Sequence, residues 1–84
     1  MFVTLYSRPG CHLCEDLKVT LAALADDTPF VLEERNIEED PAAFERYRYL
    51  IPVLDIENGS LLYPPHEWET LAGALRAAEK NHHE

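Results

Sequence analysis

The stretch LYSRPGCHLCEDLK, residues 5–18, decides the fold, because within it a strand gives way to a helix and both cysteines of the chain appear. Upstream, Phe2 to Tyr6 (FVTLY) is β-branched and aromatic-rich and predicts a strand. Ser7-Arg8-Pro9-Gly10 then breaks it. From Cys11 onward, Leu13, Leu17, Leu21 and Leu24 recur at helical spacings, which predicts one buried helix face ending near ADDTP. Glu15 and Asp16 fall in the first turn, where negative charge favours the positive end of the helix dipole.

The same reading extends along the chain. Pro29 to Glu34 (PFVLEE) predicts a second strand. Asp40 followed by Pro41 marks a helix start, with Phe44 and Tyr47 on one face. Next, Val53–Ile56 and Ser60–Tyr63 read as the arms of a hairpin about Asn58-Gly59, two residues that tolerate positive φ. After Pro64-Pro65 a last helix places Trp68, Leu71, Ala72, Leu75 and Ala78 on one stripe, and residues 79–84 are expected to fray. Two strands joined through a helix lie parallel by a right-handed crossover. The hairpin must then extend the same sheet, and helices must cover both faces to bury a largely apolar first strand. The expectation is a single domain over residues 1–84: an α/β three-layer α/β/α sandwich, β-α-β-α-β-β-α, with a mixed four-stranded sheet.

Composition narrows the function. The chain has 84 residues, 46% hydrophobic and 27% charged, which fits a small globular protein and not a disordered one. No apolar run approaches the roughly 20 residues needed to span a bilayer. MFVTLYSRPG lacks the basic-then-apolar pattern of a secretory signal, so a cytoplasmic address is expected. In that reducing compartment a cysteine pair is more often catalytic or metal-binding than structural. A formal charge of −9 argues against nucleic acid and anionic membranes as partners.

The spacing Cys11-x-x-Cys14 carries the chemistry. A thiol at a helix start meets unpaired N–H groups, which favour its thiolate, and a second cysteine three residues on returns to the same side. Two other readings stand beside a redox couple. A zinc site needs about four ligands, yet His12 is directed away from the pair, and His66, His82 and His83 lie far along the chain. Two thiols serving as small apolar residues fit badly beside an exposed-turn sequence. His12, as a cation, would stabilise the Cys11 thiolate, whereas Glu15 and Asp16 oppose it. Arg8 could attract a substrate carboxylate or stand as a solvated surface residue.

LYSRPGCHLC followed by a helix, and IPVLDIENG some forty residues later, resemble the glutaredoxin-like branch of the thioredoxin-fold superfamily. The resemblance spans nearly the whole chain in element order and implies a thioredoxin-like fold. It implies a cis bond at Ile51-Pro52, with Ile51 offering its backbone to an extended substrate. It also implies a thiol–disulfide oxidoreductase in which Cys11 attacks a target disulfide and Cys14 resolves the mixed disulfide. Arg8, His12, Ile51 and Pro52 are then the candidate substrate contacts. The implied partner is a disulfide-containing protein or a small thiol, with no tightly bound cofactor, and the protein is expected to be a monomer. Glutathione is the co-substrate the resemblance offers. Against it, Tyr63, Pro64, Pro65 and His66 stand where such proteins place a Gly-Gly-x-Asp turn, and prolines remove N–H donors. The alternatives are a thioredoxin-fold peptide-binding or redox-sensing module without turnover, and a metal or iron–sulfur carrier.

Overall fold

The computed structural model describes residues 1–82. The elements follow in the order β1 (Phe2–Ser7), α1 (His12–Leu24), β2 (Val31–Asn36), a short 3-10 turn (Ile37–Glu39), α2 (Pro41–Tyr47), β3 (Val53–Ile56), β4 (Leu61–Leu62) and α3 (Trp68–His82). The sheet order is β2-β1-β3-β4. β1 and β2 run parallel, as a helical crossover requires, while β3 is antiparallel to both β1 and β4. The mixed four-stranded sheet and the thioredoxin-like order of elements are therefore those the sequence predicts.

Alternation along β1 sorts the two faces. Val3 and Leu5 are fully buried and pack with Leu54 and Ile56 of β3 beneath α1 and α3, whose Leu17, Leu21, Leu24, Leu71, Leu75 and Ala78 close the main core. On the other face Tyr6 and Val53 meet Ala43, Phe44 and Tyr47 of α2, with the Tyr6 and Tyr47 rings 4.8 Å apart. Asp40 caps α2 by accepting from the N–H groups of Ala42 and Ala43, and Pro41 occupies its first turn.

Several details differ from the sequence reading. α2 has only seven residues and covers one end of its face, so Phe2 and Val31, cross-strand partners at the other end, stay 55% and 56% exposed. Helices thus do not fully cover both faces. In α1 the buried stripe is Cys14, Leu17, Leu21 and Leu24, while Leu13 points outward. In α3, Trp68 is likewise half exposed, because the core closes on Leu71, one turn further along the helix. β4 shortens to two residues.

The hairpin turn closes through the Gly59 N–H to the Ile56 carbonyl, and only Asn58 takes a positive φ, of 62°. Gly59 serves packing instead: a Cβ there would lie 2.8 Å from that of Ala78. α3 continues through Glu79 and Lys80 to His82, where fraying is expected. Near that end the Asn81 side chain donates to the Asn58 carbonyl of the hairpin turn. The remainder of the expected tail, His83 and Glu84, lies outside the described residues.

Candidate functional site

Gly10, at φ 79°, turns the chain out of β1 and delivers Cys11 to the N-cap of α1. Cys11 and Cys14 form a disulfide with Cα atoms 5.3 Å apart. The Cys11 Sγ also accepts the Cys14 backbone N–H at 3.1 Å, so sulfur takes the place a hydroxyl or carboxylate oxygen usually fills at a helix start. The two sulfur-bearing residues differ in access: Cys14 is buried in the core stripe of α1, whereas Cys11 is partly exposed.

Two surfaces flank this pair. Toward β4, a groove of about 440 Å³ runs between α1 and the loop after the hairpin. Leu13, Asp16, Leu17 and Thr20, one helical stripe, form one wall, and Pro52, Pro64, Pro65 and His66 form the other. The His66 Nε2–H donates to the Pro52 carbonyl at 2.6 Å, tying the loop after β4 to the residue that opens β3. The Ile51–Pro52 and Pro64–Pro65 peptide bonds are both cis.

Toward β2 the surface is polar. The Ser7 hydroxyl, nearly buried at the end of β1, donates to Glu34 Oε2 at 2.7 Å. Lys18 reaches Glu34 Oε1 at 3.2 Å and Glu15 at 2.9 Å. The Ser7 hydroxyl, and then Lys18, hold the Glu34 carboxyl below its ordinary value despite some burial. Conversely, accepting groups on Glu15 and then Glu34 raise Lys18. Glu15, which the sequence sets against a thiolate at Cys11, therefore has its charge answered by Lys18. Asp16 makes no ion pair among the described residues.

The residues singled out in the sequence do not all converge. Pro52 is buried and lines the groove beside Leu13, the residue before Cys14. Ile51 packs partly buried against the α2 cluster. Arg8 is exposed on the opposite flank, in a recess with Glu15, Glu34 and Glu39. His12 is exposed in the first turn of α1. His66, which sequence separation sets apart from the cysteines, joins the groove through Pro52. The signal that could have found it is its place in YPPH, directly after the hairpin arm. The Ser7–Glu34–Lys18 network was hidden in sequence, since Ser7 and Glu34 are 27 positions apart and meet only through the β1–β2 register.

Among the described residues no cluster of three His, Cys, Asp or Glu side chains is placed to hold a metal ion, and no helix is long and apolar enough to cross a membrane. Comparison with known proteins agrees with this architecture. Residues 2–76 match the family described as Glutaredoxin-like domain (DUF836). The X-ray structure of target protein XcR50 from X. campestris is 33% identical, covering 89% of this chain and 96% of its own, with a TM-score of 0.73. The solution structure of protein Ne2328 from Nitrosomonas europaea is 36% identical over 62% of this chain and 61% of its own, with a TM-score of 0.59. A malarial protein, 13% identical over 99% of this chain and 97% of its own, shares the fold at a TM-score of 0.59. None of the curated proteins matches the sequence. With a disulfide at the tip of α1 and a family match over nearly its whole length, the chain belongs to the glutaredoxin-like domain family, on a thioredoxin-like fold.

Proposed function

We propose that the protein is a dithiol–disulfide oxidoreductase in which Cys11 is the nucleophile and Cys14 resolves. The observation that carries this is the asymmetry of the pair: Cys11 caps α1 partly exposed, and Cys14 lies buried one turn on, within bonding distance. In the reduced protein the amide now directed at Cys11 Sγ, together with the helix dipole, favours the thiolate. That thiolate attacks one sulfur of a target disulfide, forms a mixed disulfide with it, and releases the other sulfur as a thiol after protonation. Cys14 then loses its proton and attacks Cys11 Sγ, which closes the intramolecular disulfide and expels the second target thiol. Two electrons pass from protein to target, and a thiol reductant restores the dithiol.

Targets on this reading are protein disulfides or mixed disulfides with glutathione, in a reducing compartment such as the cytoplasm. Pro52 and the backbone of Ile51 border the approach of an extended substrate. Arg8 and His12, both exposed and within three residues of Cys11 in sequence, are the further substrate contacts on this reading. The test is a trap. Cys14→Ser protein, incubated with a disulfide substrate, should accumulate a mixed disulfide at Cys11, and Cys11→Ser should accumulate none. Equal yields from the two variants would overturn the assignment.

A further inference from the structure

The groove on the β4 side of the disulfide offers an incoming molecule a narrow choice of chemistry. Leu13, Leu17, Pro52, Pro64 and Pro65 make most of its wall, and the three prolines contribute no N–H donor. Two of its polar side chains already turn a donor inward to the chain's own carbonyls. Thr20 spends its hydroxyl proton on the Asp16 carbonyl at 3.3 Å, and His66 spends its Nε2–H on the Pro52 carbonyl. The Asp16 carboxylate has no ion pair among the described residues. An anion fares no better on the other flank, where Arg8 shares its recess with Glu15, Glu34 and Glu39. The net charge of −9 adds to the repulsion.

We infer that this groove docks an extended polypeptide segment carrying a bulky apolar side chain and a Lys or Arg close to its disulfide cysteine, in preference to an anionic thiol peptide such as glutathione. For the role of the sulfurs the inference rests on the oxidoreductase reading. For docking it rests on the groove alone. The apolar side chain gains by leaving water against Leu13 and the prolines, and the cation answers Asp16.

Reduced protein is mixed with four disulfides in turn: a peptide dimer with Leu and Arg flanking its cysteine, one with Gly and Glu there, oxidised glutathione, and uncharged hydroxyethyl disulfide. The rate of Cys11–Cys14 oxidation is read by quenched alkylation. The Leu-Arg dimer should react about tenfold faster than the Gly-Glu dimer or glutathione at low salt. Asp16→Asn should narrow that ratio by about twofold to fivefold, as should added salt. Equal rates, or a lead for glutathione, with hydroxyethyl disulfide still reduced, would sink the docking inference and leave the oxidoreductase standing. Failure to reduce any disulfide would sink the oxidoreductase instead. Docking is then decided by the Leu-Arg peptide with Ser in place of Cys. Amide shifts at Leu13, Asp16 and Thr20 that weaken in Asp16→Asn support it, and their absence overturns it.

Discussion

On the β2 side of α1, charge is answered within the chain: Lys18 holds Glu15 and Glu34, and Ser7 holds the second oxygen of Glu34. On the β4 side, Leu13 stands 62% exposed beside Pro64 and Pro65, over a groove whose Asp16 carboxylate has no ion pair among the described residues. The same helix thus separates a surface that is already satisfied from one that is not. Covering the polar flank would break hydrogen bonds that a partner must replace. Covering the apolar flank releases water from hydrocarbon and breaks nothing. That asymmetry makes the β4 side the one where a partner gains most.

The sharpest way to break the contrast is at Leu17, which lines the groove and is only 4% exposed in the main core. Leu17→Ala should cost about 2–5 kcal/mol by urea unfolding, because the transfer and cavity terms both apply. A loss under about 1 kcal/mol would mean that the groove floor is not core, and the two flanks would then differ only in surface composition.

A smaller effect tests the polar side. Ser7→Ala removes one hydrogen bond to a carboxylate that water partly reaches, and should cost about 1 kcal/mol near neutrality. Its acid limb is more telling. A carboxyl held below its ordinary 4.5 contributes stability that is present above that value and is lost as pH falls through the depressed one. Without Ser7 the Glu34 value should move back toward 4.5, and the loss of stability below that pH should become shallower. Carboxyl titration by NMR and unfolding followed against pH check both. An unmoved Glu34 would show that Lys18 alone sets its charge.

Much of the scaffold was legible because it is written in local chemistry. Asp40-Pro41 starts α2, Arg8-Pro9-Gly10 ends β1, and the leucines of α1 repeat at helical spacing. What was hidden depends on partners distant in sequence. Leu13 continues the leucine spacing as well as Leu17 does, yet Cys14 takes the inward position one residue later. A cysteine marked for chemistry is easily left out of the core, although it packs as a small apolar residue. Trp68 begins the apolar stripe of α3 but stays 49% exposed, the buried part of the stripe starting at Leu71. The site divides the same way. The Cys11–Cys14 spacing stood in the sequence, but the groove needed the loop after β4 folded against α1, with His66 bonded to Pro52.

The smallest effect sharpens the electrostatic half of the contrast. Lys18→Met removes the cation that Glu15 and Glu34 share, at a solvent-exposed site where such pairs are weak and salt-sensitive. Its cost at neutral pH should therefore be below that of Ser7→Ala and should shrink further with added salt. Because Lys18 is raised above its ordinary 10.5, it contributes stability that is present below that value and is lost as pH rises through the raised one. The difference between wild type and Lys18→Met should accordingly hold from neutrality upward and close only above 10.5. Tyr6, pushed up by burial and then by Asp55, titrates in the same alkaline region, but it is common to both proteins and cancels from the difference. A difference that survived high salt, or widened with alkalinity, would mean that the stem of Lys18 acts by packing. The polar flank would then owe its order to contact, and the two sides of α1 would be more alike than their charges suggest.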